Sequence, residues 1–145
     1  MSTRPKYGIK TIVFDKKKRS GLPCTVAAFF PDKKNGGYKN VITDENGREF
    51  IVNEADLAKK GDAVFVVALD WRSEDEGTNK VVLVTKDFDK AKSEFDRLVA
   101  QQCEYETTNG QSMTHETDEL WFSSYLDGDY ALNHYDVAIA ITELV

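Results

Sequence analysis

The sequence lacks any apolar run near the roughly 20 residues needed to span a bilayer. Its first residues, Met1-Ser2-Thr3-Arg4-Pro5, lead into polar, charged sequence and carry no signal-peptide core. Cysteine is scarce: Cys24 and Cys103 stand far apart without metal-ligand spacing, and we read both as free thiols of a cytoplasmic protein. No glycine loop sits between a strand and a helix, because Gly36-Gly37 falls between two expected strands; phosphate cradling of that kind is excluded. There is no internal repeat and no low-complexity tract.

Other chemistries fail for want of one residue. Ile12-Val13-Phe14-Asp15 supplies a strand and a first acid for aspartyl phosphoryl transfer, but Lys17 stands where the second acid belongs. Asp44-Glu45-Asn46-Gly47 places its glycine too early for a calcium loop, and Asp127-Gly128-Asp129 lacks the later ligands. His115-Glu116-Thr117-Asp118-Glu119 mixes an imidazole with three acids, but the second histidine, His134, precedes a strand, and no spacing forces the two together. Cys103, expected at a helix C-terminus, faces the negative end of the dipole, which disfavours a thiolate. The reading is therefore of a protein that is not an enzyme, with no cofactor and no metal.

What is present is an ordinary globular composition, 41% hydrophobic and 30% charged, long enough to bury a core. The net charge of −6 conceals a division. Residues 1–60 carry 13 basic and seven acidic residues, a balance of +6, and residues 61–145 carry six basic and 18 acidic, a balance of −12. Such asymmetry implies charged faces for partners or two parts attracting each other.

Short strands are expected at Tyr7–Asp15, Cys24–Phe30, Tyr38–Thr43 and Arg48–Val52. Asn46-Gly47 is the strongest hairpin cue in the chain, and a short helical turn at Glu54–Ala58 is capped by Asn53. Residues 1–60 thus form a basic β-rich subdomain that resembles, in architecture alone, a small SH3-like barrel. Residues 61–145 form an acidic ββαββ subdomain: strands at Ala63–Leu69 and Val81–Val84, an amphipathic helix at Asp87–Gln102, and strands at Leu120–Leu126 and Tyr135–Leu144. Phe88, Ala91, Phe95, Leu98 and Val99 make the buried face of the helix, which packs on an antiparallel sheet. Cys103–Asp118 lacks a period and reads as a loop. The fold class is α+β, as two subdomains or one continuous domain.

Two binding surfaces follow. Trp71, Glu74, Asp75 and Glu76 at a hairpin tip, with Asp118, Glu119 and Trp121, form an acidic face with aromatic anchors for a basic protein partner. In size and charge alone the chain resembles the compact acidic anti-defence inhibitors that phages and mobile elements direct at nucleic-acid enzymes. The alternative is nucleic-acid binding by Lys16, Lys17, Lys18, Arg19, Lys33 and Lys34, with Tyr7, Phe29, Phe30 and Tyr38 available to stack on bases. No membrane contact is expected.

Overall fold

The computed structural model describes residues 4–74, 76–126 and 133–144. The described residues are mostly strand, in two antiparallel sheets with one α-helix, and the chain divides into two compact units: residues 1–63 with 141–145, and residues 64–140.

The first unit contains β1 (Ile12–Asp15), β2 (Cys24–Pro31), β3 (Tyr38–Asp44), β4 (Glu49–Asn53), a 3₁₀ turn (Glu54–Asp56) and β5 (Leu57–Lys59), in sheet order β4-β3-β2-β1-β5. The hairpin expected at Asn46-Gly47 joins β3 to β4, with Gly47 at φ 81°. That left-handed backbone is one glycine adopts at no steric cost. Asn53 stands before the 3₁₀ turn as expected, but its side chain makes no capping hydrogen bond. The first strand is shorter than its alternation suggests, because Lys10 turns left-handed at φ 71°. Tyr7, upstream of that break, is buried and donates its hydroxyl to the Leu57 carbonyl at 2.9 Å. With Val13, Cys24, Val26, Ile42, Val52 and Leu57 it makes one core, against which Phe50 packs. Tyr7 is therefore core, not a stacking surface for bases.

The second unit's sheet has the order β7-β6-β10-β9-β8, from β6 (Ala63–Arg72), β7 (Gly77–Thr85), β8 (Thr114–Asp118), β9 (Trp121–Tyr125) and β10 (His134–Glu143), with α1 (Phe88–Thr108) between β7 and β8. Asp87 caps α1 as expected, accepting from the Asp89 and Lys90 amides at 3.0 and 3.3 Å. Ala91, Phe95 and Leu98 are buried, and the Phe88 ring meets Phe65 of β6 edge-on at 5.4 Å. Alternate residues Phe65, Val67 and Leu69 of β6 and Val137 and Ile139 of β10 complete this core.

The ββαββ expectation and the loop at Cys103–Asp118 need correcting together. Residues 103–108 continue α1, and Thr114–Asp118 forms the edge strand β8, so the order is ββαβββ. An edge strand with Glu116, Thr117 and Asp118 exposed has no apolar face to write a period into the sequence. The expected turn at Asp127-Gly128-Asp129 lies outside the described residues.

Candidate interaction site on the second unit

The β6–β7 hairpin sets the site. Trp71 pairs with Thr78 and Arg72 with Gly77, and the turn closes through the Ser73 amide, which donates to the Glu76 carbonyl at 2.8 Å. A Cβ added at Gly77 would meet the Trp71 carbonyl oxygen at 3.0 Å, so this tight return favours glycine. Glu74 and Glu76 are exposed on the turn; Asp75 lies outside the described residues.

Beside this turn is a cavity of about 640 Å³, in the range of sites that take a side chain or small ligand. Trp71 of β6, Tyr105 of α1, Met113 and Tyr135 of β10 contribute its apolar surface, and Glu74 and Glu76 contribute carboxylates. Burial pushes the Tyr135 phenol above its usual range, with Arg97 opposing, so it stays neutral in physiological solution. The result is an aromatic recess whose edge carries two carboxylates and the Arg72 guanidinium, a rim of net negative charge that attracts an ammonium or guanidinium group through ring quadrupoles and charge.

The remaining expected acidic residues lie elsewhere on the sheet. Asp118, Glu119 and Trp121 occupy the β8–β9 turn, where Lys92 donates to the Glu119 carbonyl at 2.7 Å and Trp121 is 37% exposed. Trp121 pairs with Ala138 of β10, whereas the cavity residue His134 pairs with Tyr125. Four strand residues separate these positions, about 13 Å. The face foreseen as one surface is thus two patches.

His115 does not join the acids next to it. Glu116 and Asp118 take the opposite side of β8 from residue 117, while His115 Nε2 meets Glu106 Oε1 of α1 at 2.7 Å and its ring lies 5.2 Å from Phe122. Glu106 is buried and also accepts from Ser124 Oγ at 2.6 Å and Gln102 Nε2 at 2.9 Å. Burial alone would raise this carboxyl's pKa; its hydrogen bonds to Ser124, His115 and Gln102 outweigh that, and the pKa is lowered. The network ties α1 to β8 and β9. Sequence reasoning missed Glu106 because nothing marks a buried acid on a charged helix. Burial raises the Cys103 thiol, with Glu106 adding to the effect, and burial pushes Cys24 up to about 11. Both cysteines are free thiols.

In the first unit the basic run is drawn into ion pairs. Lys16 meets Glu143 at 2.8 Å, Lys17 meets Asp56 at 3.6 Å, and Arg19 meets both Asp15 at 2.7 Å and Asp56 at 3.1 Å. The Lys18 amide donates to the Asp15 carbonyl, with Lys18 at φ 56°. Lys33 and Lys34 are exposed on the β2–β3 turn, which Asp32 organises by accepting from the Lys34 and Asn35 amides, each at 3.2 Å. Phe29 and Phe30 are exposed on the strand leading to that turn, and Phe29 meets Tyr38 edge-on at 5.8 Å.

Among the described residues, no helix is long and apolar enough to cross a membrane. Compared with protein-family models, curated proteins and solved structures, the chain matches none.

Proposed function

We propose that the protein is a non-enzymatic interaction module that captures a lysine- or arginine-bearing segment of a protein partner in the cavity beside the β6–β7 turn. The observation that carries this reading is the meeting of Trp71, Tyr105 and Tyr135 with Glu74 and Glu76 at one recess. A basic side chain entering it would gain ring contact and charge together, and neither alone gives both affinity and selectivity. The charge of the whole unit supports the same partner: residues 64–140 hold 16 acidic and six basic residues. A field of that sign accelerates encounter with a basic surface.

The partner that best fits this chemistry is the positively charged groove of a nucleic-acid-processing enzyme, which makes the chain an inhibitor of the anti-defence type. In that assembly the cavity holds one basic side chain; Asp118 and Trp121, which pair with each other, lie on the face of the sheet opposite Tyr135 and are not part of this contact. The strand order of the first unit, with a 3₁₀ turn between its fourth and fifth strands, supports an SH3-like reading of that unit.

Titration of the full chain with a short lysine- and arginine-rich peptide tests the proposal. Binding weakens as salt rises and falls at least tenfold in the double variant Glu74→Lys, Glu76→Lys. Equal affinity of the variant and the parent chain would refute the assignment.

A second reading has one observation in its favour. Phe29 and Phe30 are exposed near Lys33 and Lys34, a stacking-plus-charge arrangement suited to single-stranded nucleic acid. It moves the contact away from Lys16–Arg19, whose charges are largely engaged within the unit. Retention on single-stranded DNA that disappears in Phe29→Ala, Phe30→Ala would favour it over capture of a basic segment.

A further inference from the structure

Asp70 of β6 and His134 and Asp136 of β10 each bring one ligand atom to a common point, all within 4.8 Å of one another. The fold explains the meeting: β6 and β10 are sheet neighbours, and residues two apart on β10 share a face. Asp70 and His134 are 64 residues apart in the chain, so no local motif announces the group.

The geometry points to a divalent transition-metal site, with Zn²⁺ the first candidate, held by His134 Nε2 and one carboxylate oxygen each from Asp70 and Asp136. One imidazole with two carboxylates suits Zn²⁺ or Mn²⁺ better than Ca²⁺ or Mg²⁺, which prefer oxygen alone.

His134 Nε2 lies 3.3 Å from Asp70 Oδ2, close to the ~3.4 Å edge of a tetrahedron whose ligands sit about 2.1 Å from zinc. A second histidine–carboxylate contact, His115 to Glu106, closes to 2.7 Å, the length of a charge-assisted hydrogen bond. His134 and Asp70 make a longer hydrogen bond, which holds the two atoms at a separation that a zinc ion would bridge. All three ligand atoms lie within 4.8 Å of one another, and Asp70, with its side chain 51% exposed, has room to turn toward the other two.

The ligands are also supported from outside their own set. Ser123 of β9, itself buried, donates its hydroxyl to Asp136 Oδ1 at 2.5 Å and fixes that carboxylate. Metal sites commonly orient their ligands in this way. The His134 side chain is 10% exposed, whereas that of Asp70 is 51% exposed. The imidazole is thus held in place and the ion enters from the Asp70 side. Three protein ligands leave at least one position for water. His134 also lines the cavity, so the ion would fasten β6 to β10 at its edge.

The site borders the cavity through His134, but zinc binding does not depend on the capture of a basic segment. The test is calorimetric titration of the chelator-treated full chain with Zn²⁺, alongside NMR of the two histidine rings. One equivalent of zinc is expected to bind, shifting the His134 ring signals and leaving those of His115 in place. Asp136→Asn and His134→Ala should each weaken binding at least a hundredfold, and Ser123→Ala about 10- to 100-fold. His115→Ala should bind as the parent does. Absence of saturable binding, or binding that shifts the His115 ring instead, would overturn the assignment. The ring signals of the parent chain decide the matter even where a variant fails to fold.

Discussion

The two units use carboxylates in opposite ways. In the first, Asp15 and Asp44 are buried, and each meets the arginine four residues on, Arg19 and Arg48, at 2.7 Å. Each also gathers backbone amides of its own turn: those of Lys17 and Arg19 for Asp15, those of Asn46 and Arg48 for Asp44. Ser20 Oγ donates to Asp44 at 3.0 Å and links the two turns. In the second unit Asp70, Glu74, Glu76, Glu116 and Asp118 are exposed, and Glu106 is the acid drawn inward. The buried carboxylates of the first unit build its turns, whereas in the second Asp87 caps α1 and the exposed acids present a field. Burial separates the two uses, and net charge does not report it.

The sharpest way to break this contrast is to remove one carboxylate from each unit. Asp15→Ala strips the acceptor from Arg19 and two amides and should cost about 3 kcal/mol in urea unfolding. Glu74→Ala should lie within about 0.5 kcal/mol of the parent. Equal losses would erase the distinction.

Acid gives an independent reading of it. Hydrogen bonds to Arg19 and to the Lys17 amide overcome burial and lower the Asp15 pKa, and Glu106 is lowered likewise. Carboxyls depressed in the folded state contribute stability above their unfolded values, and that contribution is lost as pH falls through the folded ones. The chain should therefore lose stability below about pH 4, and Glu106→Gln should flatten that dependence in its own unit. A stability profile that stays level down to pH 2 would contradict the account.

Next in size is the binding effect. Exchanging Glu74 and Glu76 for lysine should weaken a basic peptide at least tenfold, about 1.4 kcal/mol, without changing the melting temperature. The smallest effect concerns Asn40 of β3. It is fully buried, and neither its amide nitrogen nor its oxygen finds a partner among the described residues. Asn40→Leu should stabilise the chain by about 1 kcal/mol, measured as a higher urea midpoint, because it removes an unsatisfied amide and adds apolar contact. A lower midpoint would mean the amide has a role in the native state.

Much of the fold is legible where a period exists. The β3–β4 hairpin follows from Asn46-Gly47, and α1 follows from Asp87 and the spacing of Phe88, Ala91, Phe95 and Leu98. Strand β8 is illegible because an exposed edge has no buried face to pattern its sequence. Trp71 and the Glu74–Glu76 tip are visible as a large aromatic beside a charged turn. Tyr105, Met113 and Tyr135, which complete the cavity, come from distant segments that only the sheet order brings together. The same holds for Asp70, His134 and Asp136. His115, the histidine with acids beside it in sequence, is the one that strand alternation takes away from them.

The most direct test of the central claim is to follow the two tryptophan indole N–H signals by NMR while a short lysine- and arginine-rich peptide is added. Trp71 of β6 lines the cavity and Trp121 lies on β9, two strands away, so each reports on one patch. The account predicts that the Trp71 signal moves with saturation while Trp121 stays in place, and that the shift disappears in Glu74→Lys, Glu76→Lys. A Trp71 signal that stays fixed at saturating peptide would contradict it.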